Sequence, residues 1–367
     1  MSESKTLLVD SLANLAGTGA PNIPVDLSVN GTPLASLNTM DYYAQSGEPA
    51  SPKDAALWFD TDDDVFKIYV NGEWLQVDYS NLPAFFGDRG LFGGGTTGVS
   101  NVIQYVTIST PGNATDFGDL TVGRYNLSAC SNGSRGLFAG GTTGFVSQSV
   151  IDYVAIATTG NATDFGDLTL ARGGLASCSD GISGLFAGGS GPTNVIDYVT
   201  IATTGNAIDF GDLTIATFGT PGSCSDGVKG VWAGGYHSQS VIQYVIAATP
   251  GNAVDFGDLT QQRHSLAGCS SKTYGLFGGG ERSPSNYNII DYITIATPGN
   301  ATDFGDLTVA RRRLSSCSNG TRGIWGGGDA GGTLDVIDYV TIATPGNAAD
   351  FGNLIASQDS LAACSGD

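Results

Sequence analysis

From residue 89 onward the apolar positions come in short runs, and none keeps a 3.6-residue spacing over the length of a helix. Val195–Thr203, VIDYVTIAT, is typical. Its β-branched and aromatic residues, broken by a single carboxylate, have the composition of a strand packed on its neighbours. Strings such as TPGNA and SNG stand between the runs. Pro presets φ there, while Gly and Asn tolerate positive φ, so these strings predict tight turns. The pattern is strand and turn throughout.

The runs also recur. DFGDL begins at Asp116, Asp164, Asp209, Asp255 and Asp303, and DFGNL at Asp350, so the copies lie 45–48 residues apart. G-[LVI]-[FW]-[AG]-G-G begins at Gly90, Gly136, Gly184, Gly230, Gly275 and Gly323. [VI]-I-[DQ]-Y-[VI] begins at Val102, Val150, Val195, Val241, Ile289 and Val336. A period of this length means a solenoid or a propeller. Each period holds four predicted strands: an inner one (Arg313–Gly320), a second (Arg322–Gly328), a third (Val336–Ala343) and an outer one (Asp303–Thr308). Four-stranded units at this spacing read as blades, so residues 87–367 are expected to form an all-β, six-bladed propeller with four antiparallel strands per blade. The first unit lacks an inner strand, and an orphan one, Asp359–Ser365, follows the last unit. Pairing the two would complete the first blade and leave no open sheet edge.

Two regions precede the repeats. Residues 1–50 are rich in Ser, Asn, Gly, Pro and Ala, and read as an extended arm that orders against a partner. Residues 51–86 contain LWFDTDDDVFKIYVNGEWLQV, which predicts a small β-meander. Trp58 and Phe59 open one strand, Asp62–Asp64 make an acidic turn, Val65–Val70 form a second strand, and Asn71-Gly72 is a two-residue hairpin turn before Glu73–Val77. Its aromatic residues Trp58, Phe59, Tyr69 and Trp74 are the candidate anchoring contacts.

Composition narrows the functions open to such a chain. A net charge of −20 argues against a nucleic-acid partner, whose phosphates would have to be neutralised. No run approaches the ~18 apolar residues of a membrane span, and the first residues, with Glu3 and Asp10 in a broken apolar stretch, do not read as a secretory signal. All six cysteines (Cys130, Cys178, Cys224, Cys269, Cys317 and Cys364) share one register on the predicted inner strands. Their Cα atoms should lie beyond the ~7 Å reach of a disulfide, which predicts small buried thiols. The DFG triplet lacks a kinase's HRD string and Lys strand, and six-fold repetition does not suit a catalytic aspartate. A calcium ion on the paired aspartates would need ~6–8 oxygens, far more than they supply. His237 and His264 are the only histidines. The expectation is therefore no enzyme, no cofactor and no metal.

The repeat strings resemble the kelch family: an inner strand ending in SNG, a second strand ending in FAGG or WGGG, IDY in the third, and an aromatic outer strand followed by Arg124, Arg172, Arg263 and Arg311. Kelch units usually carry Trp in the outer strand, where this chain has the Phe of DFGDL. The segment GEPASPKDAALWFDTD with the meander after it resembles N-terminal segments of tailed-phage virion proteins. The DFGDLT repeats are similar to kelch-like structural proteins of marine phages, particularly cyanophages. That resemblance implies a virion component assembled in the host cytoplasm, in multiple copies per particle, of tail or fibre type. Residues 1–88 would then meet other virion proteins, and the propeller a host-surface glycan or protein. A capsid decoration protein and a depolymerase-like carbohydrate-active propeller are the alternatives.

In an antiparallel blade, the turns after the inner and third strands share one face, and the loops after the second and outer strands share the other. The first face is monotonous. The second varies from blade to blade, and its loops carry the candidate contact residues Tyr125, Phe218, Tyr236, His237, His264, Arg282, Tyr287, Arg312 and Arg313. Arg124, Arg172, Arg263 and Arg311 share one register on this face, so they read either as contacts or as partners of Asp or carbonyl groups in the next blade.

Overall fold

A computed structural model of the chain describes residues 87–366, apart from 192, 218 and 236–238, together with the backbone of seven short strands before residue 87. The chain divides into two compact units, Met1–Ala84 and Phe85–Asp367. In the first, Leu57–Asp60, Val65–Val70 and Glu73–Asp78 form the expected meander, with Val70 opposite Glu73 in hairpin register. Tyr42–Gln45 and Leu7–Leu8 add parallel strands at its two edges. The side chains of Trp58, Phe59, Tyr69 and Trp74 lie outside the described residues.

The second unit is a six-bladed propeller of four-stranded antiparallel sheets. Blade I joins Arg89–Gly93, Val102–Thr107 and Thr115–Asp119 to the inner strand Ala362–Gly366, with Cys364 opposite Leu91, so the ring closes through the predicted pairing. The inner strands of blades II to VI are Ser128–Ser131, Ala176–Ser179, Gly222–Ser225, Ala267–Ser270 and Ser315–Ser318. Their outer strands are Thr163–Asp167, Ile208–Thr217, Val254–Asp258, Thr302–Asp306 and Ala349–Gln358. Among the described residues no helix is long and apolar enough to cross a membrane.

The recurring strings hold the blades to one another. Each inner-strand cysteine packs on the first glycine of the next blade's second strand, where a Cβ would lie 2.7 Å from Cys130 Sγ at Gly184 and 2.6 Å from Cys178 Sγ at Gly230. The six thiols are free and buried, and burial pushes them up, Cys364 to about 12, so they stay protonated and unreactive. Further out, the Phe of each DFG is buried and meets the third-strand Tyr edge to face, as Phe117 meets Tyr105 at 6.1 Å and Phe210 meets Tyr198 at 5.5 Å. The glycine after it lies in a β-bulge with positive φ, 148° at Gly166. It makes room for the next blade's TPGN-type turn, whose Gly205 donates its N–H to the Phe165 carbonyl at 2.8 Å.

A central channel runs between the inner strands, with a cavity of about 140 Å³. Toward the monotonous turn face, serine hydroxyls link neighbouring inner strands; Ser270 donates to the Ser225 carbonyl at 2.7 Å and Ser365 to that of Ser318 at 2.6 Å. Toward the variable loop face, backbone hydrogen bonds of 2.7–3.1 Å pass from blade to blade through Asn126, Gly174, Gly219-Thr220, Ser265, Arg313 and Ser360.

Candidate functional site

The loop face is built on the double glycine that ends each second strand. Gly140 and Gly141 have φ of 62° and 101°, and a Cβ on Gly140 would lie 2.6 Å from the Arg172 carbonyl oxygen. Only glycine lets the chain turn so close to the loop that follows the outer strand. The two loops then pair through single bridges: Tyr125 with Thr142, His264 with Glu281, and Arg312 with Asp329.

One register on this face is occupied by core residues. Arg124, Arg172, Arg263 and Arg311 are completely buried and ion-paired at 2.8–2.9 Å with Asp152, Asp197, Asp291 and Asp338 on the third strand of the next blade. Each guanidinium also donates to the carbonyl of Phe138, Phe186, Phe277 or Trp325 at 3.0–3.1 Å. Each carboxylate accepts a threonine hydroxyl at 2.5 Å, from Thr121, Thr169, Thr260 and Thr308 in turn. These arginines are partners of the next blade and are not available as contacts.

The following registers carry the candidates. Arg312, partly exposed, donates to Glu281 at 2.5 Å and, through two nitrogens, to Asp329 at 3.0 and 2.8 Å. His264 Nδ1 lies 3.7 Å from Glu281 and 3.0 Å from the Ser265 hydroxyl. Burial lowers the His264 pKa and outweighs the pull of Glu281, with Arg312 and Arg313 adding to the lowering, so the imidazole is neutral near pH 7. The structure thus joins His264 and Arg312 through Glu281. Arg313 follows with a left-handed φ of 56°, and its guanidinium makes no hydrogen bond or ion pair among the described residues. Arg282 is exposed on the hairpin of Glu281–Arg282 and Ser285–Asn286, and Tyr287, at its base, donates its N–H to the Gly280 carbonyl at 2.8 Å. Tyr125 stands apart in blade II, where its hydroxyl donates to the Gly144 carbonyl. Phe218, Tyr236 and His237 lie outside the described residues.

Two residues that sequence reasoning passed over stand out here. Phe145 and Val146, in the hairpin braced by Tyr125, are 104% and 65% exposed. Only their place in a variable loop, TTGFVSQS, pointed to them. The face therefore offers an exposed phenyl ring, two unengaged guanidinium groups and a ring of small polar residues, a set suited to holding a ligand. Among the described residues no three His, Cys, Asp or Glu side chains converge as a metal site requires. No protein-family model matches the chain, and no curated protein matches it. What stands on its own geometry is the architecture: the chain carries a six-bladed, all-β propeller with a uniform face and a variable one.

Proposed function

We propose that this chain is a kelch-like recognition module of a tailed-phage particle, without chemistry of its own. Residues 1–88 join it to other virion proteins, and its loop face meets a host-surface glycan or protein. The observation that carries this reading is the division between repeated and varied residues. Cysteines, DFG glycines and phenylalanines, and the buried arginines are all engaged between blades, whereas groups left unengaged on the loop face, Phe145, Arg282 and Arg313, differ from blade to blade. Rigid scaffolds that vary only in their loops are recognition scaffolds, and exposed aromatic and arginine side chains are their usual anchors. The chain enters the propeller on the turn face, where Asp88 accepts from the Ser109 amide at 2.8 Å and from Asn319 at 2.9 Å, which leaves the loop face directed away from that point of entry.

The test uses two variants of the full chain in the particle. Deleting residues 1–86 abolishes incorporation. Phe145→Ser with Arg282→Ser and Arg313→Ser leaves incorporation intact and lowers host adsorption at least tenfold. Normal adsorption by the triple variant would overturn the loop-face assignment, and normal incorporation of the deletion would overturn the anchoring one.

A further inference from the structure

The six-fold repeat supplies its own controls on the turn face. In four blades the first residue of the second strand lays a cation over the third-strand tyrosine: Arg89 at 4.9 Å from the Tyr105 centroid, Arg135 at 4.4 Å from Tyr153, Lys229 at 6.0 Å from Tyr244, and Arg322 at 4.6 Å from Tyr339. In blade V a tyrosine serves instead, with Tyr274 edge-on to Tyr292 at 5.9 Å. Each cation also donates to carbonyls where the next blade's third strand ends. Arg135 reaches those of Ile201 and Ala202 at 3.0 Å, Arg322 those of Ile108 and Ser109 at 3.1 and 2.7 Å, Arg89 that of Ile156 at 2.8 Å, and Lys229 that of Ala296 at 3.0 Å. A tyrosine face with a pair of carbonyls is thus a seat for a cation; Arg135 and Arg322 use both carbonyls, Arg89 and Lys229 one, and only the guanidinium is planar enough to stack on the ring.

Blade III has the seat but a different first residue. Ser183 is too short to reach Tyr198, so this half-buried ring carries no cation; it also borders a hollow of about 330 Å³ lined, within blade III, by Thr200, Thr203, Asn206 and Ile208. The matching carbonyls, those of Ala247 and Ala248, receive no described side-chain donor. Charge changes in the same place. The turn before Ser183 carries Asp180, as that of blade IV carries Asp226 beside Lys229, where blades II, V and VI have Asn132, Ser271 and Asn319; of these five blades, blade III alone has the carboxylate without a cation. Exposed aliphatic side chains flank it. Ile182 and Val228 replace Ser134, Thr273 and Thr321 of the other turns, and Ile208 and Val254 replace Thr115, Thr163 and Thr302.

We propose that the cation-free seat at Tyr198, on the turn face of blade III, binds an arginine side chain of a partner protein. The guanidinium stacks on Tyr198 and donates to the carbonyls of Ala247 and Ala248, Asp180 supplies the opposite charge, and Ile182, Ile208 and Val228 cover apolar atoms beside the arginine. The aliphatic border favours a polypeptide over a free organic cation. This site is independent of the loop-face reading.

The test is a titration of the full chain, carbon-13 labelled at tyrosine, with the capped peptide acetyl-Gly-Arg-Gly-amide, read by nuclear magnetic resonance. The expected result is a saturable ring shift at Tyr198 and at none of the other five third-strand tyrosines. The lysine peptide should bind at least threefold more weakly, the isosteric citrulline peptide should produce no shift, and Ser183→Arg should abolish the response. Equal shifts at all six tyrosines, no shift at Tyr198, or an unchanged response in Ser183→Arg would each overturn the proposal. Should Ser183→Arg not fold, Tyr198→Leu read by calorimetry decides: lost arginine-peptide binding supports the site and retained binding refutes it.

Discussion

Four arginines lie wholly inside the propeller, and an ion pair in that setting specifies position more than it adds stability. Desolvation works against each pair, and the Nε of every one of these arginines lacks a hydrogen-bond partner. The other two blades do without the pair. Gln243 Oε1 accepts from the Thr214 amide and hydroxyl at 2.7 Å, and Gln104 Oε1 from the Ile355 amide at 2.7 Å. Breaking a pair is another matter, because a charge stays behind. Asp152→Ala is expected to cost about 3–5 kcal/mol in urea unfolding. Arg124→Leu with Asp152→Gln, copying the uncharged blades, should cost less than half as much. A double variant as unstable as the sum of its singles would show that the residues do not act as a pair. This coupling was open to inspection in the sequence. Asp stands in the third strand of each blade entered through an Arg, and Gln in the blades entered through Phe218 and Gln358. What the string lacked was the packing that brings the outer-strand loop of one blade against the third strand of the next.

At the scale of the element, the outer strand shows how a short string encodes a contact between blades. The DFG glycines of blades II to VI have φ near 148°, and a Cβ on Gly166 would lie 2.4 Å from the Gly205 carbonyl oxygen of the following blade. Gly166→Ala should therefore destabilise by about 1–3 kcal/mol in denaturant titration, from backbone strain together with the displaced turn. Gly205→Ala, which meets nothing within 4 Å, is the control and should stay within about 0.5 kcal/mol of the parent. Equal effects would mean that the bulge tolerates a side chain. Strand positions and turn strings were readable because both are local chemistry. Strand length was less so. The outer strands of blades III and VI run for 10 residues against 5 in the others. Where no arginine leaves the strand for the next blade, the pairing resumes beyond a shift in register, with Thr193 opposite Thr217 and Leu334 opposite Gln358. The exposure of Phe145 was not readable either, since TTGFVSQS could equally have folded its ring inward; the hairpin register decides that.

For the whole molecule, ring closure joins two distant parts of the sequence. Leu91 faces Cys364 through the sheet of blade I, and the bulge of Gly352 in blade VI receives the turn at Gly112 in blade I. Deleting residues 359–367 removes the inner strand of blade I and bares one edge of Arg89–Gly93, so the product should aggregate or become sensitive to protease, as followed by light scattering and limited proteolysis. Unchanged melting and a monodisperse product would show that the pairing contributes little. The loop face has a coarser symmetry than the ring beneath it. Blades II and V carry the short hairpins, blades III and VI the long outer strands, and blades I and IV the glutamines, so features recur three blades apart. The closing pair also sets a clock. A ribosome adding roughly 5–20 residues per second needs about 15–50 s to travel from Gly93 to Ala362. For that interval the first blade waits with three of its strands, and the nascent protein must stay soluble with an unmatched edge. Messages broken before the last codons of the repeat would leave that edge permanently bare, and the product is then expected to be open to proteases.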